Sequence, residues 1–422
     1  MGLQGQPDGR TILARLTLTR RALAGGLAAA TLVGLRAPRA QSPASGAPVR
    51  IGELNSYSRM AAFSVPYRNA MQLAAEQINR AGGVMGGRPL EFVFRDDGAT
   101  PGDAVRVAED LLTRENVAFI AGTFLSNVGL AVADLANQRR RLFFATEPLS
   151  DAITMQQGNR YTWRLRPNTY MQTRMLTEAA RGRTARRWAI VAPNYEYGQS
   201  AAANFKRLIG ASIPGAEIVA EQYPALGRVD AGATVGALNQ ARPDAIFNVL
   251  FGPDLTAFVR EGNTRGLFER RFVLSLLTGE PEYMIPLGDE TPEGWIVTGY
   301  PWEQVEWPSH RAYVEAYRAR FNDTPRKGSL LGWVTVEVIA NLLNRVNNLD
   351  NEALVEGLRD LRTDTVTGPV VMRGIDQQGT MGTWVGETTL RGRQGAMRNA
   401  RYVDGATVMF PEEEVRAARR NA

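Results

Sequence analysis

Residues 117–146, VAFIAGTFLSNVGLAVADLANQRRRLFFAT, constrain this chain more than any other stretch. Residues 117–121 are an apolar run of strand length, and Gly122-Thr123 breaks it. Ser126 then reads as the N-cap of a helix to about Gln138, with Leu130, Val132, Ala133 and Leu135 on its apolar side. Residues 142–145 form the next buried strand. The three pieces make a βαβ unit, and its helix begins where its first strand ends. In open parallel sheets ligands sit at the carboxyl ends of strands, where free helix N–H groups favour an anion. Ser126 and Asn127 add side-chain hydrogen bonding at that place. The glycine-rich phosphate fingerprints are missing, so the expected anion is a carboxylate.

The chain has 422 residues, enough for two domains with sizeable cores. Its first 40 residues read as a separate segment. Thr19-Arg20-Arg21 precedes an uncharged small and apolar run over residues 22–35, and Pro38-Arg39-Ala40 offers a cleavage site. That pattern reads as a secretory signal, with the arginine pair pointing to the twin-arginine route. The apolar run falls short of the roughly 20 residues a membrane-spanning helix needs. Six arginines against Asp8 put +5 of the formal +6 into this segment, so the mature chain is close to neutral and gives no reason to expect nucleic acid. With no cysteine, a disulfide framework, a thiolate metal site and a lipid-anchored N-terminal cysteine are all excluded. The expectation is a soluble periplasmic protein without a cofactor. His310 is the only histidine, which leaves little room for histidine catalysis or a multi-histidine metal site; beside Trp307-Pro308 it reads as a surface residue.

Residues 41–47 are a small-residue linker. A strand over 49–54, a helix over 65–80 and a strand over 90–95 follow, and Gly82-Gly83 ends the helix. The glycines at 82–87 lie between a helix and a strand, whereas a phosphate loop needs strand, glycines, then helix. Thr100-Pro101 and Asp103 open another helix ahead of the βαβ unit. A second series repeats the grammar: strands at 188–192, 217–222, 245–250 and 272–277 alternate with helices at 200–208, 229–241 and after Pro253. Two such series imply two similar α/β lobes, each a doubly wound parallel sheet. Helices near 311–321, 330–346 and 351–361 and strands near 367–373 and 383–390 complete the chain.

This order resembles the type I periplasmic binding proteins, and within them the leucine/isoleucine/valine-binding receptors of ABC transporters. The supporting segments are Ile51-Gly52, Ala75-Glu76-Gln77-Ile78-Asn79 with Gly82-Gly83, Asp96-Asp97, Ala121-Gly122, Ser126, Asp134, Tyr197-Gly198 and Pro292-Glu293-Gly294-Trp295, spread over about residues 49–410. The resemblance implies two lobes joined by a hinge with three chain crossovers. One lobe would comprise 48–167 and 303–374, the other 168–302 and 375–410, with a tail at 411–422. It implies that Ser126 binds a ligand carboxylate, that Phe63 and Tyr197 are aromatic pocket positions, and that Phe251 and Gly252 form a ligand loop. The family's disulfide positions fall at Ala99 and Leu125, so that crosslink is absent. Where amino-acid receptors present ammonium-binding groups, the aligned positions hold Pro148 and Leu149; a shifted register would use Thr146, Glu147 or Ser150. The acidic ammonium partner falls near 277–282, best at Glu280. An apolar Pro148-Leu149 wall suits a hydrophobic acid without an ammonium.

The expected function is capture of a small hydrophobic carboxylate, either a branched-chain amino acid or an aromatic or aliphatic acid, for delivery to a membrane-embedded ABC permease. A sensory module of the same fold is the alternative. An α/β enzyme fits poorly, because no nucleophile elbow, metal cluster or phosphate loop is present. Asp96-Asp97 reads as a turn-capping pair rather than as an acid–base pair.

Overall fold

A computed structural model describes residues 44–419. The expected export signal at 1–40 lies outside the described residues, as do 41–43 and 420–422. The chain opens with β1 (Val49–Asn55), α1 (Ala61–Arg80), β2 (Leu90–Asp96), α2 (Pro101–Thr113) and β3 (Ile120–Gly122). It continues through α3 (Ser126–Arg139), β4 (Phe143–Ala145) and β5 (Thr162–Arg164). A second series follows with α4 (Thr169–Ala179), β6 (Arg187–Val191), α5 (Glu196–Ser212), β7 (Glu217–Gln222) and α6 (Ala231–Ala241). It runs on through β8 (Ala245–Asn248), α7 (Gly252–Thr264), β9 (Phe272–Gly279), α8 (Pro281–Leu287) and β10 (Ile296–Gly299). Next come α9 (Pro308–Phe321), α10 (Lys327–Val346), α11 (Asn351–Leu358), β11 (Arg362–Thr365), β12 (Gly368–Arg373) and β13 (Gln378–Gly379). The last elements are β14 (Thr383–Arg391), β15 (Gln394–Val403) and α12 (Glu412–Arg419).

These strands form two sheets. The first has the order β11-β12-β13-β5-β4-β3-β1-β2, the second β15-β14-β10-β9-β8-β6-β7. In each, the first five strands in chain order lie second, first, third, fourth, fifth, and all pair in parallel. The winding reverses between β1 and β3 and again between β6 and β8, and such switch points open a crevice at the carboxyl ends of the strands. Antiparallel strands close the far edge of each sheet. The chain passes between sheets three times: after β5, after β10 and after β13. Gln378 and Gly379, expected in the second lobe, pair with Arg373, Met372 and Arg164 of the first sheet. The hydrogen-bonding room beside β5 takes β13 before the chain leaves.

Local chemistry explains the elements nearest the crevice. Strands β3, β4 and β8 are buried throughout, as parallel strands covered on both faces must be. Thr100 caps α2 by accepting from the Asp103 N–H, with Pro101 in the first turn. Gly122 ends β3 at φ +118°, and a Cβ there would stand 2.2 Å from the Leu54 carbonyl oxygen, so only glycine lets the chain turn towards the crevice. Helices α1 and α10 pack together. A Cβ on Gly328 or Gly332 would lie 2.4 or 2.2 Å from the carbonyl oxygens of Phe63 and Tyr67, so both glycines are needed for the close crossing that seats Phe63.

Two further expectations need correction. Ser126 is the first residue of α3 rather than its cap; Leu125 holds the cap position, without a side-chain hydrogen bond. His310 is fully buried, not on the surface: it lies on the inward face of α9 with Tyr313 and Tyr317, and its Nε2 is 2.6 Å from the Tyr300 hydroxyl. Burial lowers its pKa to about 4, so the ring is neutral. As expected, Asp96 and Asp97 fasten the turn after β2. Asp97 accepts from Ser56 Oγ and from the Ala99 N–H, each at 2.8 Å.

Candidate functional site

The carboxyl ends of both sheets meet around a cavity lined by Phe124, Ser126, Glu147, Leu149, Arg166, Tyr195, Tyr197, Phe251 and Leu277. All but Leu277, which lies within β9, follow a strand: β3, β4 and β5 supply the first five residues, and β6 and β8 the next three. The cavity has a volume of about 20 Å³. One buried water needs ~10–15 Å³, so anything larger requires the walls to part.

Aromatic rings run through the wall without a break. Phe63 meets Phe124 at 4.9 Å between centroids, Phe124 meets Phe251 at 6.1 Å, and Phe251 meets Tyr197 at 5.8 Å. The Phe124–Phe251 contact joins the two sheets' loops. Against this apolar wall stand three polar groups. Ser126 Oγ accepts from the N–H groups of Leu149 and Ser150, at 3.2 and 3.1 Å, and keeps its own hydrogen for donation. Glu147 is buried, with one oxygen accepting from Asn55 Nδ2 at 3.0 Å. Arg166 is 2% exposed, lies over the Phe63 ring at 5.4 Å and donates through Nη2 to Glu280, while its Nε has no partner. Burial opposes the Arg166 charge, but Glu280, Tyr283 and Glu147 around it outweigh that, and its pKa lies above the ordinary arginine value.

Three contacts fasten the sheets' loops together around the cavity. Arg166, beyond β5, pairs with Glu280, at the cap of α8. Glu282 accepts the N–H groups of Lys327 and Gly328 at 3.1 and 2.7 Å, so a carboxylate on α8 caps the first turn of α10. Ser150 Oγ donates to Glu196 Oε1 at 2.5 Å.

Of the expected site residues, Ser126, Leu149, Tyr197 and Phe251 line the cavity. Phe63 lies behind Phe124 and Arg166; Asn127, Gly252 and Glu280 do not form the wall. Glu280, expected as an ammonium partner, is engaged by Arg166 instead. Pro148 is not a wall residue either: its ring packs where a Cβ on Gly129 would come within 2.9 Å. Phe124, Arg166, Tyr195 and Leu277 were not foreseen, and Glu147 only as a register alternative. Phe124, Glu147, Arg166 and Tyr195 share a signal of position, two to four residues past the end of a parallel strand, while Leu277 lies near the end of β9.

Two sheets of the same winding, with carboxyl ends facing across one buried cavity, define a two-lobed receptor of the type I periplasmic binding class. A family profile described as periplasmic binding protein matches residues 48–395, and the chain belongs to that family, whose members are exported to the periplasm. Among similar proteins, Leu/Ile/Val-binding protein homolog 7 of Brucella suis is 26% identical over 338 residues, covering 75% of this chain and 82% of its own length. A solute binding protein of an ABC transporter from Rhodopseudomonas palustris, solved with 3,4-dihydroxy benzoic acid, superposes with a TM-score of 0.77 at 20% identity, covering 87% of this chain and 99% of its own. The closed leucine-, isoleucine-, valine-, threonine-, and alanine-binding protein of Brucella ovis gives 0.77 at 18% identity, covering 87% and 97%.

Proposed function

We propose that this protein is the non-enzymatic solute-capturing component of an ABC importer, closing its two lobes on a small hydrophobic carboxylate without an α-ammonium and passing it to a membrane permease. The observation that carries this reading is Arg166, a buried guanidinium with an unpartnered N–H at the edge of an aromatic cavity. A charge-assisted hydrogen bond from such a group is roughly twice as strong as a neutral one and suits a carboxylate. Ser126 supplies a second donor, and Phe124, Tyr195, Tyr197 and Phe251 surround the apolar body. Engagement of Glu280 by Arg166 takes up the carboxylate expected as the ammonium partner, which supports the simple acid over the amino acid. The related proteins fit both ligand types: one was solved with a dihydroxybenzoic acid and another is named for aliphatic amino acids.

Thermal-shift and calorimetric comparison of 3-phenylpropanoate and 4-methylpentanoate with phenylalanine and leucine tests it. Ligand at 100-fold excess over Kd adds about 2.7 kcal/mol to apparent stability. The deaminated acid is expected to bind at least tenfold more tightly, about 1.4 kcal/mol. Submicromolar leucine or phenylalanine with no binding of the acids overturns the reading. Export is assigned to the twin-arginine route through residues 1–40, and periplasmic accumulation of an Arg20→Lys/Arg21→Lys protein argues against that route.

A further inference from the structure

Ser126, Glu147 and Arg166 follow three adjacent parallel strands, β3, β4 and β5, and all three line the cavity. Register pairs Ala145 with Arg164, so Glu147 and Arg166 each lie two residues beyond the paired ends of neighbouring strands. Glu147 Oε2 is buried and has no partner. The orientation of Asn55 decides how Glu147 is used. Asn55 Oδ1 accepts from the Ser56 N–H at 2.8 Å, which fixes the amide so that Nδ2 faces Glu147 Oε1. Oε1 can therefore only accept. Any proton on this carboxyl sits on Oε2.

The charged and titratable groups acting on Glu147 are Glu53 from β1, Tyr57 beyond it, Tyr67 from α1, Arg166 beyond β5 and Glu282 from α8. Arg166 is the one cation among them, and Glu280 already engages it. Resting on the reading that the ligand is a carboxylate, an ionised Glu147 would set two like charges side by side in a space nearly closed to water, where their repulsion is strongest. A neutral Glu147 removes that repulsion and turns its unpartnered oxygen into a donor.

We propose that Glu147 receives the ligand as a neutral carboxylic acid, its Oε2–H donating to the ligand carboxylate beside Arg166, and that this proton makes the site select simple acids over α-amino acids. An ammonium is matched best by an ionised acceptor, whereas Oε2–H of the neutral acid presents a donor to a donor. Burial holds the Glu147 carboxyl well above the ordinary range; Asn55 and Arg166 pull it down, while Glu53 and Glu282 push it up.

Calorimetry of the exported protein with 3-phenylpropanoate and phenylalanine, on wild type, Glu147→Gln and Glu147→Leu, tests this. Glutamine offers N–H where the acid offers O–H, so E147Q is expected to bind 3-phenylpropanoate within about threefold of wild type while E147L loses at least about tenfold. Thermal melts check that each variant folds. A tenfold loss in folded E147Q, or wild-type affinity in E147L, overturns the inference and leaves the carboxylate reading standing. Should wild type prefer phenylalanine and E147Q abolish that preference, Glu147 is an ionised ammonium acceptor and both readings fall. If E147L does not fold, E147Q alone decides: retained binding supports the proposal and lost binding overturns it.

Discussion

At the carboxyl ends of the first sheet stand Asn55, Ser126, Glu147 and Arg166; at those of the second stand Tyr195, Tyr197, Phe251 and Leu277. The sheets share one winding order, so the scaffold places both sets at equivalent positions, yet the chemistry differs. Hydrogen-bonding and charged groups come mainly from the first sheet, whereas the second contributes mostly apolar area, with Glu280 behind it. The difference teaches that winding decides where a ligand sits, while the few residues after each strand decide what it is. On the function proposed above, the first lobe would read the head group and the second would cover the body.

Replacing Arg166 by methionine should break the comparison most severely. It leaves Glu280 buried without its cation, which typically costs about 3–5 kcal/mol of stability, and acid binding should fall by at least about 100-fold, or 2.7 kcal/mol. The double variant Arg166→Met/Glu280→Met should regain most of the stability in urea titration without regaining binding. Wild-type affinity in either variant would show that the first sheet does not read the head group. Ser126→Ala is expected to weaken acid binding by roughly 1.5–3 kcal/mol and, by orphaning the N–H groups of Leu149 and Ser150, to cost about 1–3 kcal/mol of stability. Unchanged affinity in a folded S126A protein would reduce Ser126 to a loop anchor. The smallest effect belongs to the second sheet. Phe251→Leu should lower affinity for 3-phenylpropanoate by about 0.5–1.5 kcal/mol and leave 4-methylpentanoate nearly unaffected. Equal losses for both ligands would mean that the ring covers without discriminating.

Much of the scaffold is legible in the sequence because parallel strands buried on both faces are continuous apolar runs. Residues 117–146 hold β3, α3 and β4 in the expected order, with α3 and β4 close to their expected bounds and β3 at Ile120–Gly122 rather than 117–121. Strands β11 and β15 escape the same reading: Arg362–Thr365 is short and polar, and Gln394–Val403 is largely exposed at a sheet edge. The aromatic cavity positions Tyr197 and Phe251 follow from the resemblance. Arg166 does not, because an arginine two residues past a three-residue strand resembles any surface charge until its partner, 114 positions later, is brought to it. Arg164 is hidden in the same way: it is fully buried, donating to Gln378 Oε1 at 2.6 Å and to Thr154 Oγ1 at 2.7 Å. His310 misleads for a related reason, since Trp307-Pro308 looks like a loop although α9 starts at Pro308 and turns the ring inward.

That Arg166 and Glu280 belong to opposite sheets has a kinetic consequence. While the sheets are together, the guanidinium charge is matched and attracts little from a distance. Once they part, Arg166 faces water without its partner, and a bare cation draws anions from as far as the Debye length, about 8 Å at physiological salt. Arrival of an acid is then the step that added salt slows. Departure begins from the dry, paired arrangement and should be nearly indifferent to salt.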